Sequence, residues 1–274
     1  MELISILKIF RNLFTTINGK VQLTLQRKVY LEYWSKKENF GDSLSPVVFK
    51  YMLLDKNINE SKKTRRKHFT CIGSILGICK CDCVVWGTGA LGTQQIINTR
   101  KWKTHFDVRA VRGPLTLDAI KQNAFSFNLS ENVSFGDPAI LMPLIYAKEK
   151  NKKFRYGILS YAPGEKIFED FFIISVLSND YTKIIDFITQ AELIITPSLH
   201  GIIVAEAYGV NAILLNEGRL KMFKYDDYYL STKRSTIFAT SVEEALRMKP
   251  LPLPNLTTMQ QDLLRKFPYD IWKN

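Results

Sequence analysis

Long apolar runs are missing from this 274-residue chain. A membrane-spanning helix needs about 18 or more apolar residues in succession, so no part of it is expected to cross a bilayer. No secretory leader is expected either. The N-terminus does not set a charged region, an apolar core and a small-residue cleavage site in that order, and the expected compartment is the cytoplasm. Cysteine is scarce and bunched, at Cys71, Cys79, Cys81 and Cys83. That clustering excludes a spread disulfide framework. The Cys-x-Cys-x-Cys spacing also lacks the two separated pairs that hold structural zinc, so reduced thiols and no metal are expected. Histidine is limited to His68, His105 and His200, which leaves few candidates for proton transfer near neutral pH. Internal repeats and low-complexity segments are absent too.

What is present is ordinary globular material, 46% hydrophobic and 23% charged, which excludes disorder along the whole length. The net charge of +12, from 38 basic and 26 acidic residues, favours anionic partners: nucleic acid, phosphorylated metabolites or an anionic membrane surface. No nucleic-acid module and no basic stripe with interleaved aromatics occurs, so nucleic acid is not expected among them.

Residues 1–18 place Leu3, Ile6, Leu7, Phe10, Leu13, Phe14 and Ile17 at helical spacing. Two fates stay open for this amphipathic helix: packing on its own domain, or lying at the inner membrane beside lipid-linked substrates. A strand–turn–helix rhythm follows. Strands are expected at 29–34, 69–72, 83–86, 108–111 and 133–135, and helices at 45–54 and 114–120. The polar run AKEKNKK at 147–153 reads as a linker. The rhythm then restarts with strands at 154–160, 171–176, 193–196 and 212–215 and helices at 181–190, 199–208 and 257–266. Strands that end in glycine-rich turns and run into helices build parallel sheets. The expected organisation is two α/β units, residues 1–147 and 154–250, with a closing helix and tail at 251–274. Ligands of such sheets sit at the carboxyl ends of the strands.

Four strand ends stand out. Asn39 and Asp42 flank Gly41 before a helix; they either cap it or present polar groups to a sugar acceptor. Gly87, Thr88 and Gly89 follow a strand, where backbone N–H groups can approach a phosphate or carboxylate; without a third glycine they do not make a dinucleotide fingerprint. Arg112 ends a strand beside a helix N-terminus, and both features favour an anion; pairing with a structural carboxylate is the alternative. His200 falls in the first turn of a helix after Pro197 and Ser198, where the helix dipole disfavours its cation, and it either acts as a base or fills a structural place.

The segments NFGDSLSP, VVWGTGA, RAVRGPLT, GDPAIL and SLHGIIVAEAYGV occur in the order and near the spacing found in polysaccharide pyruvyl transferases, and Phe223–Tyr229 resembles the aromatic Asp-Tyr segment of that family. The resemblance runs from about residue 30 to about residue 235. It implies two Rossmann-like domains in a GT-B-like arrangement with a cleft between them. It further implies phosphoenolpyruvate as donor, no cofactor, and a sugar of a surface glycan or its lipid-linked precursor as acceptor. His200 would be the catalytic acid/base, and Arg112 would hold the donor with Gly87, Thr88 and Gly89. One position departs. Many members carry arginine before the Leu-His pair, where this chain has Ser198 at the donor; either Arg109, Lys233 or Arg234 replaces the missing cation, or the donor differs. Asn39, Asp42 and Glu206 are assigned to the acceptor. The alternative is a glycosyltransferase of the same fold, with Glu206, Asn216 and Glu217 on a nucleotide sugar.

Overall fold

The computed structural model describes residues 29–59, 67–148 and 151–272; the amphipathic helix expected at 1–18 lies outside them. The chain is a mixed α/β protein with two sheets dominated by parallel pairing. The first is built from β1 (Val29–Leu31), β2 (Lys67–Thr70), β3 (Cys83–Trp86), β4 (His105–Val111) and β5 (Ser126–Phe135), side by side in chain order and all parallel. Its helices are α1 (Phe40–Asp55), α2 (Thr93–Thr99) and α3 (Pro114–Asn123), and the buried turn Pro138–Leu141 leads into the short α4 (Met142–Ile145).

The second sheet uses β6 (Phe154–Ser160), β7 (Glu165–Ile167), β8 (Phe171–Ser175), β9 (Ala191–Thr196), β10 (Asn211–Leu215) and β11 (Phe238–Ala239). Their order is β11-β10-β9-β6-β8-β7, parallel except for the β7–β8 hairpin. Helices α5 (Tyr181–Gln190), α6 (Leu199–Ala207), α7 (Phe223–Ser231) and α8 (Val242–Arg247) accompany it. The closing helix α9 (Thr257–Lys266) returns to the first sheet and packs on β4 and β5. There Trp86 Nε1 donates to the Leu263 carbonyl at 3.0 Å.

Strands covered on both faces carry apolar side chains in both directions. Val84 and Trp86 of β3 point into one core and Cys83 and Val85 into another; Ile194 and Ile195 of β9 divide in the same way. The core that faces inward is continuous from one sheet to the other, from Phe40, Leu44 and Trp86 to Ile194, Ile202 and Leu214. Helix α1 sits in this seam against α5, α6 and the Pro138–Leu141 turn. It begins five residues earlier than the sequence suggests. Asn39 is its N-cap, accepting from Asp42 N at 3.2 Å, and Pro46 lies inside the helix.

Candidate functional site

The carboxyl ends of β4, β5 and β9 and the first turns of α1 and α7 bring together Arg112, Asp137, His200, Asp42 and Lys224. His200 stands in the first turn of α6, whose N-cap is Ser198, with Ser198 Oγ accepting from Gly201 N at 3.2 Å. The ring lies flat on Gly41: a Cβ at that position would fall 1.9 Å from His200 Nδ1. On its other side Nε2 faces Asp137 Oδ2 at 3.4 Å. Asp137 is fully buried, and its second oxygen, Oδ1, accepts from Ala139 N at 3.0 Å. Neither His200 Nε2 nor Asp137 Oδ2 has a hydrogen-bond partner among the described residues. A buried polar atom left in that state costs about 1–3 kcal/mol, and catalytic contacts of this kind often close only when substrate binds. A carboxylate set behind an imidazole holds the ring's orientation and leaves the other nitrogen, here Nδ1, for proton exchange.

Asp42 and Lys224 complete the cluster. Burial raises the Asp42 carboxyl above its usual range, against the pull of His200 and Lys224. Burial, aided by the nearby Arg112 charge, lowers Lys224 to about 8. Lys224 forms no ion pair among the described residues; its Nζ lies 4.8 Å from the Tyr225 ring centroid. Tyr161, at the end of β6, lies against Ser198, and the Tyr225 hydroxyl donates to the Pro197 carbonyl at 2.6 Å.

The anion that Arg112 and the α3 N-terminus were expected to attract is there, but it is the protein's own Asp227. Arg112 is fully buried. Its Nε donates to Asp227 Oδ2 at 3.0 Å, Nη1 to Ser74 Oγ at 2.6 Å and Nη2 to the Ala90 carbonyl at 2.8 Å. Asp227 also accepts from Thr116 N at 2.9 Å and from Thr116 Oγ1 at 2.6 Å. Arg112 thus forms a buried ion pair that joins the two halves, its partner the structural carboxylate that was the alternative to a bound anion.

The Gly87-Thr88-Gly89 run is likewise hydrogen-bonded within the protein. Gly87 N donates to Ala110 O, Gly89 N to Gly73 O and Thr88 Oγ1 to Gly73 O. The glycines make room for side chains. Gly87, at φ +88°, lies under Pro138, and a Cβ on Gly89 would meet Arg112 Cζ at 2.2 Å. Arg109 is held by Asp107 and Asp270, and Arg234 by Glu206, both Nη atoms at 2.7 Å. Glu206 also accepts from Tyr228, so it is engaged in a buried network rather than turned to an acceptor. Asn216 Oδ1 accepts from Gly218 N and Leu220 N.

Of the residues expected at the site, His200, Asp42 and Ser198 meet around this cluster, with Asn39 capping the helix that carries Asp42. Asp137, Lys224, Asp227 and Tyr161 were not singled out. Asp137 and Asp227 were visible within GDPAIL and the Phe223–Tyr229 segment as carboxylates near strand and helix ends.

A cavity of about 700 Å³ adjoins the cluster, with Tyr161 and Pro197 in its wall. Among the described residues no helix is long and apolar enough to cross a membrane.

The chain is 25% identical over 200 residues to the uncharacterized protein L143 of Acanthamoeba polyphaga mimivirus, covering 68% of this chain and 67% of that one. A solved structure of a functionally uncharacterized protein from Klebsiella pneumoniae subsp. pneumoniae NTUH-K2044 aligns with 84% of this chain and 97% of its own, at 13% identity and a TM-score of 0.46. The family model of polysaccharide pyruvyl transferase matches residues 40–219, a span that contains His200, Asp137, Asp42 and all but the α7 side of the cluster, and the chain belongs to that family.

Proposed function

We propose that this protein transfers pyruvate from phosphoenolpyruvate to two hydroxyls of one sugar, in a bacterial surface glycan or its lipid-linked precursor, as a ketal. The two α/β units take a GT-B-like arrangement in this reading, with the reaction between them at the cytoplasmic face of the inner membrane. The observation that carries the proposal is His200, seated on Gly41 with Nε2 turned to the buried Asp137. Proton transfer is what enol phosphate chemistry needs. A proton adds to C3, C2 becomes electrophilic, and a sugar hydroxyl bonds to C2. The C2–O bond to phosphate breaks, and the second hydroxyl closes the ketal. Of the two hydroxyl protons, one ends on C3 and the other on the released phosphate. His200 carries protons between these centres, assistance worth about 10²–10⁴-fold.

Lys224 supplies the donor's counter-charge. It takes the place of the arginine absent at Ser198, because it is the cation of the cluster without a carboxylate in contact. Arg112, already neutralised by Asp227, acts behind it.

A thermal-shift titration with phosphoenolpyruvate, beside a panel of nucleotide sugars, tests the reading, since a ligand of the native state raises the midpoint with concentration. Phosphoenolpyruvate should give a saturable rise that Lys224→Met removes. His200→Ala should keep the rise and lose phosphate release in the presence of acceptor. A rise with a nucleotide sugar and none with phosphoenolpyruvate would replace pyruvyl transfer by glycosyl transfer.

A further inference from the structure

We propose that the 700 Å³ cavity of the second sheet is the acceptor subsite, and that it takes the nucleoside diphosphate end of an activated sugar. This rests on the pyruvyl-transfer reading for the donor and changes its acceptor: the ketal is built on a nucleotide-activated sugar, before that sugar enters the glycan or its lipid-linked precursor.

Position is the first argument. The chain runs from β6 to β8 on one side, then crosses to β9 on the other side of β6. Strand order therefore reverses between β6 and β9. In open α/β sheets the crevice at the carboxyl ends of such a pair is the place where nucleotides bind. The cavity opens at that point, lined by Ser160 and Tyr161 after β6 and by Pro197 after β9.

Size and chemistry are the second. About 700 Å³ lies in the range of small-molecule pockets, roughly 300–1,000 Å³. It suits a nucleoside with its phosphates and not a length of polysaccharide. Ile158, Ile173, Leu215 and Val242 give the floor an apolar surface for a base. Three charged side chains at the wall have no ion-pair partner among the described residues: Lys166, Arg219 and Glu217. Glu165 beside them is taken by Lys183 at 2.5 Å. Two free cations match a diphosphate, and a carboxylate just past a strand end matches the hydroxyls of a ribose. An isoprenoid chain would give Glu217 nothing to bond.

Continuity with the cluster is the third. Tyr161 lines the cavity and touches Ser198, two residues before His200. A sugar on a diphosphate held by Lys166 and Arg219 would extend past Tyr161 toward the His200 ring.

The test is isothermal titration of the full chain with uridine, guanosine, cytidine and thymidine diphosphates, and separately with farnesyl diphosphate. At least one nucleoside diphosphate should bind saturably. Arg219→Ala and Lys166→Ala should each weaken it about tenfold, as expected for a lost charge-assisted contact. Ala162→Trp, on the exposed rim, should fill the cavity and abolish binding without touching the core. The phosphoenolpyruvate thermal shift should survive in all three variants. No binding by any nucleoside diphosphate, or binding that the three variants leave intact, overturns the proposal. Farnesyl diphosphate binding in place of the nucleotides overturns the nucleoside assignment. If the phosphoenolpyruvate shift persists through such failures, the pyruvyl reading stands. Nucleotide binding lost in the variants, in a protein that ignores phosphoenolpyruvate, would uphold the site and overturn its acceptor role together with that reading.

Discussion

Gly41→Ala separates the geometry of His200 from the stability of the fold. Gly41 lies in the first turn of α1 with an ordinary helical backbone, where alanine is the better residue by about 0.5–1 kcal/mol. On backbone grounds alone the substitution should stabilise. The obstacle is His200. The new methyl would stand 1.9 Å from Nδ1, 2.3 Å from Cγ and 2.7 Å from Cβ, against the 3.4 Å at which ordinary contact begins, so one partner must retreat by about 1.5 Å. The helix cannot. Phe40 N is tied to Val176 O at 2.9 Å, and Phe40 and Leu44 are fully buried. The imidazole is therefore the part that moves, away from its alignment with Asp137. Overpacking of this kind costs about 1–3 kcal/mol, partly offset by the helix gain, so the unfolding midpoint should change modestly. Turnover should fall on the order of 10²-fold, the usual effect of a misplacement near 1 Å. The assay needs no acceptor to begin with. Only three histidines occur, so the ring-proton NMR spectrum is simple, and only the His200 signals should shift. Unchanged His200 signals together with wild-type turnover would refute the placement of the ring on Gly41.

Arg112→Ala should act on stability: breaking a buried pair by removing one partner costs about 3–5 kcal/mol, read as a lower urea midpoint, and Asp227→Asn should do the same. A protein of unchanged midpoint that loses only donor affinity would return Arg112 to a direct role on the donor. Lys224 predicts the pH dependence of donor binding. Its folded pKa is pushed down to about 8 from 10.5, and an anion needs the charged form, so phosphoenolpyruvate affinity should hold below pH 8 and weaken as the pH rises through it. Linkage runs the other way for the free protein. Between about 8 and 10.5 the unfolded chain binds the extra proton, so this group's contribution to stability increases with pH there. Lys224→Met should flatten both profiles over that range; an unchanged affinity profile in the variant would remove Lys224 from the donor site.

The alternation of strands and helices was legible because buried parallel strands carry short apolar runs and their ends carry glycine and proline. β6, α5 and α9 fall where the sequence places them. The start of α1 was not. Gly41 and Pro46 read as a turn followed by a late helix, and only the buried Phe40 and Leu44 explain why the helix begins at the Asn39 cap. The hairpin strand β7 was missed too, since Glu165–Ile167 is exposed and lacks apolar alternation. At the site, His200 was legible from its place after a strand, and Asp42 from its place beside a glycine. Asp137 and Lys224 were not, because Asp137 meets His200 only through the packing of the Pro138–Leu141 turn on α6, and Lys224 comes near Arg112 and Asp42 only through the packing of α7 on α3, which no local spacing encodes.

Glycine was the signal most readily misassigned, and the reason bears on why these motifs occur together. Gly87 and Gly89 were read as a place for a ligand to approach backbone and Gly41 as part of a turn, whereas in the structure each of these glycines receives an atom group from another motif. Gly41 of NFGDSLSP receives His200 of SLHGIIVAEAYGV. Gly87 of VVWGTGA receives Pro138 of GDPAIL, and Gly89 receives Arg112 of RAVRGPLT. Gly113 receives Asp227 from the Phe223–Tyr229 segment, whose carbonyl would lie 1.9 Å from a Cβ there. A methyl at any of these contacts overlaps the partner by more than a well-packed interior absorbs without strain. The five segments and the aromatic one are therefore a single interlocking set. The anion-binding potential at the end of β4 is satisfied from within by Asp227. The interlock thus holds the two halves in register, and at the cluster the buried polar atoms it leaves without a hydrogen bond among the described residues are His200 Nε2 and Asp137 Oδ2.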